Sequence, residues 1–380
     1  MTDINITNYS VVGGGVNETT NTASIPSTYT SNSYPTEIDG NYRIEPMCAY
    51  NMVNFARTTI PNYRNLTSYP DDAAYNPDTS YTNNFMYAFE NMRNIKDPIS
   101  SVMGRFNWSS CTNMHGTFMN CQNLTGSLPP LPSKVESFRF AFQHCYNISG
   151  SIPVIPNKTT NMAYMFNGCN KLTGPLPTIP NSVTIMAYTF RGCSGLTGGF
   201  FDIPENVTNA DAVFWDCKGL QGPMPKVHNN LSNAYGIFRN CNITGAINMD
   251  TYSNPKIGTI AYLFYNCYKL TGSISKFPPN MIYMHSTFYN CSNITGTIPN
   301  ITSTNFRGAA YPFYNCQKLS SSNIYIFSDI LTECDGFTSG CKNTMNIYVH
   351  ANTTTYNTFY KAMGNSTYNA SWGPAYLKTF

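Results

Sequence analysis

Charge is what this chain has least of. Only 11% of its 380 residues are Asp, Glu, Lys or Arg, where roughly 25% is usual for a soluble domain. The 22 basic and 19 acidic residues sum to +3, and no Lys/Arg cluster occurs along the sequence. The field that holds phosphate backbones is therefore missing, so nucleic acid is not an expected partner. No apolar run approaches the ~18 residues of a membrane helix, so membrane insertion is not expected either. The start, Met1-Thr2-Asp3-Ile4, has no basic stretch leading into an apolar one, so either a secretory signal was removed or export is not Sec-type, and Tyr376 to Phe380 carries no hydrophobic tail for a membrane or lipid anchor. The five histidines, His115, His144, His228, His285 and His350, stand in no spacing used for nucleophilic catalysis. There is no C-x-x-C, H-E-x-x-H, phosphate-binding loop or EF-hand loop. The expectation is a non-enzyme with no catalytic residue, no metal site and no cofactor. Paired carboxylates converging from distant segments are the enzymatic alternative, and 19 acids supply few of them.

Neutral polarity and turn formers are abundant. The chain holds 48 Asn, 28 Tyr, 26 Gly and 24 Pro, a mixture that favours short strands and tight turns over long helices. Its cysteines reveal a repeat. Cys121, Cys145, Cys169, Cys193, Cys217 and Cys241 follow at intervals of 24, and Cys267, Cys291, Cys316 and Cys341 continue at 26, 24, 25 and 25. Phenylalanine stands three residues before each from Phe118 to Phe313, giving nine copies of Phe-x-x-Cys. Phe89 to Met92 reads as a degenerate first copy and Phe337 to Cys341 as a stretched last one. Leu or Ile, then Thr/Ser-Gly, an apolar residue and often Pro follow, as in Leu172-Thr-Gly-Pro-Leu-Pro177. Twenty-four residues are too few for two helices and suit one solenoid coil.

These motifs resemble the BspA-like leucine-rich repeat family over roughly residues 85 to 350. The resemblance implies a β-rich solenoid, a leucine-rich-repeat array of about eleven 24-residue coils with N- and C-terminal caps, used for adhesion and not for catalysis. The expected domains are an attachment arm and cap over 1–80, the solenoid over 81–344 and a C-terminal cap over 345–380. Arg43 to Tyr63 is expected to cover the first coil, and the first forty residues to thread into a neighbouring protein.

In a solenoid each repeat position becomes a column. The Phe, Cys and Leu columns read as a buried ladder; a disulfide ladder is the alternative, with Cys48, Cys111 and Cys334 off the ladder as the cysteines to test for pairing. The column before Cys, rich in Asn and Gly, marks a turn with positive φ. The column after Phe varies, which marks it as exposed. Its later members, Arg191, Trp215, Arg239, Tyr265, Tyr289 and Tyr314, are of the types that dominate interfaces and stack on sugar faces, and they form the candidate ligand-binding stripe. The bland alternative is that they shield coil edges or contact a second copy in a homo-oligomer. The expected role is a bacteriophage fibre or surface-decoration subunit at the virion surface, joined to the particle or another anchoring protein through its N-terminal segment and binding a host surface glycan or protein. A bacterial or protist cell-surface adhesin is the alternative.

Overall fold

A computed structural model describes residues 63–70, 79, 82–250, 252 and 254–380, together with four short strands before them. These strands are β1 (Val16–Asn17) with β2 (Thr22–Ala23), and β3 (Pro35–Ile38) with β4 (Asn41–Ile44), two antiparallel hairpins. Most of the expected cap over Arg43 to Tyr63, including Cys48, lies outside the described residues, as does most of the expected attachment arm. The chain divides into two compact units, Met1–Val183 and Thr184–Phe380. Each is a stack of short β coils.

The same stacking rule recurs within both units. In the second unit, Ile260, Tyr262, Phe264 and Asn266 donate their backbone N–H groups to Tyr283, His285, Thr287 and Tyr289 of the next coil, at 3.0, 2.8, 2.9 and 2.8 Å. The intervening N–H groups close turns within their own coil, as Leu263 to Ile260 and Tyr265 to Tyr262 do at 3.1 and 3.2 Å. Alternate amides thus point along the stack, and the segment satisfies its backbone without a long strand. This requires two left-handed residues per coil. One is the residue before the cysteine, as expected: Asn120, Asn240, Asn266, Asn290 and Asn315 have φ of 58 to 62°, and Gly168 and Gly192 φ of 84 and 76°. The other, five before the cysteine, is mixed: Gly116, Gly236 and Gly336 stand there at φ of 55 to 61°, but so do Tyr87, Phe140, Tyr164, Tyr188, Tyr262 and Tyr311 at 53 to 59°. A bulky residue there costs about 1 kcal/mol; the N–H that it aims at the next coil helps offset that cost.

Regular pairing beyond this segment is short and parallel. In the first unit β5 (Gly126–Ser127) pairs with β6 (Ile148–Ser149). In the second, β7 (Gln221–Gly222) pairs with β8 (Asn242–Ile243), and β9 (Gly245–Ala246), β10 (Leu270–Ser273) and β11 (Ile294–Thr295) form one sheet. Inside, the Phe rings stack coil on coil. Phe118, Phe142 and Phe166 lie 5.9 and 5.7 Å apart in the first unit, and the file from Phe190 to Phe313 repeats at 5.6 to 6.3 Å in the second.

The cysteines form a ladder, though not of disulfides. Every described cysteine is free and buried, Cys111 and Cys334 included. Cys145 and Cys169 donate their thiol hydrogens to the carbonyls of Phe118 and Phe142 at 3.1 Å, and Cys217, Cys241, Cys267, Cys291 and Cys316 repeat the bond at 2.9 to 3.1 Å. Burial pushes the thiols of Cys121 and Cys267 up to about 12. They are neutral donors, and a small residue that can also donate is what this site selects.

The ends differ. In the first unit, 29 residues separate Met92 from Cys121, and the excess contains helix α1 (Ile99–Met103). Behind it Trp108 stacks on Phe85 at 4.1 Å, with Tyr69 and Phe106 edge-on. In the second unit β12 (Ser322–Tyr325), β13 (Met345–Val349) and β15 (Ala375–Thr379) are parallel, with β14 (Tyr368–Asn369) antiparallel at the edge. Helix α2 (Thr354–Ala362) begins at Thr353, whose hydroxyl accepts from the Tyr356 N–H at 3.2 Å. Among the described residues no helix is long and apolar enough to cross a membrane.

Candidate functional site

The strict inward columns leave the outward ones free to vary. The residue after Phe is half-buried at Met119 and Gln143 in the first unit, where Asn167 is buried, and at all six stripe residues in the second. These six form one continuous file. The Arg191 guanidinium lies 4.5 Å from the Trp215 ring, Arg239 lies 4.1 Å from Trp215 and 4.4 Å from Tyr265, and Tyr265, Tyr289 and Tyr314 stack at 4.6 and 4.4 Å with 12° between planes. Two such cation–π sandwiches and two parallel ring pairs pre-order long side chains that would otherwise lose rotamer freedom on binding. Tyr262 flanks Arg239 at 4.8 Å and Trp215 approaches Tyr235 at 6.2 Å, which widens the file into a surface.

This packing changes how the stripe can be used. Trp215 is covered on both faces by guanidinium groups and Tyr289 by tyrosine rings, so a sugar cannot stack flat on these members as their residue types had suggested. What they present is edges, phenol hydroxyls and guanidinium N–H groups. Among the described residues neither Arg191 nor Arg239 forms an ion pair, and Arg239 Nε is buried without a hydrogen-bond partner.

The next column was read as structural and turns out to be polar equipment as well. Asn240 donates to Asp216 Oδ1 at 2.6 Å, Asn266 to Asn240 at 2.8 Å, Asn290 to Asn266 at 2.9 Å and Asn315 to Asn290 at 3.0 Å. Each amide uses one N–H and one oxygen lone pair in this relay; it carries two of each. Asn240, Asn266, Asn290 and Asn315 line an open groove of about 600 Å³ with Lys218, Tyr268 and Ser292. Sequence reading missed this groove because Asn at positive φ already had a backbone explanation.

Three of the histidines hold structural contacts. His115 meets the Tyr87 hydroxyl at 2.9 Å and His144 the Asn120 amide oxygen at 3.0 Å. His285 is held 3.5 Å from Glu333, with its pKa lowered by burial against that carboxylate's opposing pull. Among the described residues no group of three His, Cys, Asp or Glu is placed to hold a metal.

Stacked coils with a Phe core, a thiol ladder and variable outward columns define a leucine-rich-repeat solenoid, a fold that is typically non-catalytic. Residues 86–221 match, in six copies, the family described as BspA type leucine rich repeat region. Residues 229–347 match the family described as Mycoplasma protein of unknown function, DUF285. No curated protein matches the chain.

Proposed function

We propose that the chain is a non-enzymatic adhesion protein that binds a host surface glycan or protein through the outward face of its second unit, as a bacteriophage fibre or surface-decoration subunit. The observation that carries the adhesive reading is the file from Arg191 to Tyr314: interface-prone side chains, stacked in advance on a hydrogen-bonded scaffold, beside a groove of amides. Sparse charge and richness in Asn and Tyr support the virion placement, with the N-terminal segment as the attachment arm. The double variant Trp215→Ala with Tyr265→Ala is expected to weaken binding on a host-glycan array or to host cells by about tenfold or more. Its unfolding midpoint should stay close to that of the wild type, and unchanged binding would reject the stripe.

A cell-surface adhesin is the second reading, favoured by the match of residues 229–347 to a family of Mycoplasma proteins. Mass spectrometry of purified phage particles and of envelope fractions from the source culture separates the two. Stoichiometric recovery with particles supports the virion placement, and recovery from envelopes alone supports the cell surface.

A further inference from the structure

The chain has no cluster of basic residues in sequence, yet the coil period builds one in space. Within two residues either side of the ladder cysteines, the second unit carries Arg191, Lys218, Arg239, Lys269, Lys318 and Lys342, against a single acid, Asp216. They are invisible to a sliding window because 21 to 49 residues separate each from the next. The four lysines are exposed and the two arginines half-buried. Among the described residues none of the six forms an ion pair. Lys318 is held by a neutral group, the Asn293 amide oxygen at 2.7 Å. Asp216 is engaged by Asn240 at 2.6 Å, and the nearby Asp211 carboxylate accepts the Tyr235 N–H at 3.3 Å. In a chain whose total charge is +3, an almost wholly basic band spanning six coil steps, about 30 Å, is a concentration that packing does not need.

We infer that this band binds an anionic polysaccharide, bearing carboxylate or sulfate groups, laid along the coils of the second unit. The inference rests on the adhesive reading above and narrows its ligand class. Lysine and arginine heads spaced along the band take the acidic groups, and arginine's fork suits a carboxylate or sulfate. The spare N–H groups and lone pairs of Asn240, Asn266, Asn290 and Asn315 match hydroxyls, which both donate and accept. Two other polyanions fit less well. An extended acidic peptide would seek an unpaired strand edge, and here the backbone amides are spent on neighbouring coils. A single-stranded nucleic acid would seek bare ring faces, and those of Trp215 and Tyr289 are covered.

The test is equilibrium binding of the full chain to matched polymers: polygalacturonate against its methyl ester, and dextran sulfate against dextran. Poly-glutamate and oligo-dT serve as the other polyanions. The expected result is at least tenfold tighter binding to a charged glycan than to its neutral partner. A carboxylate source shows in the first pair and a sulfate source in the second. The triple variant Lys218→Gln, Lys269→Gln, Lys318→Gln should lose about tenfold with its melting unchanged, since these side chains are exposed. Arg239→Gln should lose binding that Arg239→Lys retains. Equal binding to charged and neutral glycans, a silent triple variant, tighter binding of poly-glutamate or oligo-dT, or no binding to any polymer overturns the inference. If the neutral polymers bind equally well and Trp215→Ala with Tyr265→Ala abolishes it, the face stands and only the anionic class falls. If that double variant is silent on every polymer that binds, the face itself falls.

Discussion

The two units use one coil to make two different surfaces. The column after Phe reads Met119, Gln143 and Asn167 in the first and Arg191, Trp215, Arg239, Tyr265, Tyr289 and Tyr314 in the second. The backbone beneath is the same: Phe118 and Asn120 donate to the next coil at 2.8 Å, as Phe264 and Asn266 do at 2.9 and 2.8 Å. A groove of the first unit is apolar, about 470 Å³ lined by Leu128, Leu131, Pro153 and Val154, while that of the second is lined by amides and Lys218. Constraint lies on the inward side. Columns that face in are fixed by packing and by the thiol ladder, whereas columns that face out are released from both and can differ between units without disturbing the stack.

The most drastic way to break the comparison is to attack what the units share. The buried thiols titrate at 9.0 when unperturbed and are raised to about 12 at Cys111 and Cys121 in the first unit and at Cys267 and Cys341 in the second. A neutral thiol is favoured by the fold, so the unfolded chain releases protons first as pH rises. Stability is therefore fully present below pH 9 and is lost progressively towards pH 12. Urea midpoints measured from pH 8 to 11 should fall in both units, and a flat profile would contradict the protonated ladder. Next in size, Phe142→Ala and Phe264→Ala should each cost about 3–5 kcal/mol in denaturant unfolding, because both rings are fully buried between stacked neighbours. A cost confined to one unit would show that the cores are not equivalent.

Smaller substitutions sharpen the contrast. Asn290 sits at φ 58° and bridges Asn266 and Asn315. Asn290→Ala loses the relay and strains the backbone, while Asn290→Gly loses only the relay, so alanine should be the worse by about 1 kcal/mol. Comparable unfolding free energies for the two would deny that conformation selects this column. Smallest of all, Met119→Tyr with Gln143→Tyr extends aromatic residues onto the half-buried column of the first unit and should change stability by no more than about 0.5 kcal/mol per site, read from the same denaturant curves. A larger loss would mean that the outward column is not free to vary.

Much of this was legible in the sequence for a physical reason: a repeat multiplies weak signals. One Phe-x-x-Cys says little, but nine at a near-constant interval fix a coil length, a buried ladder and a turn before each cysteine. The second left-handed column escaped notice because glycine holds it in only some coils, as at Gly116 and Gly236, while Tyr87, Tyr188 and Tyr262 are poor residues for positive φ, held there by bonds to the next coil that no local pattern announces. The purpose of the cysteine was likewise hidden, since a small apolar residue and a thiol donor look alike until the Phe carbonyl of the preceding coil is placed 3 Å away. Trp215 and Tyr289 were recognisable as outward and interface-prone, but not as rings with covered faces.

The solenoid, its period and the identity of its inward columns follow from the amino-acid order alone, because burial repeats and the chain must place like with like every 24 or so residues. What the outward residues amount to depends on how the coils stack. Stacking turns six scattered side chains into one file, converts backbone asparagines into an amide-lined groove and gathers lysines and arginines far apart in sequence into one basic band, because neighbours across coils are one hydrogen bond apart in space and a full turn apart along the chain.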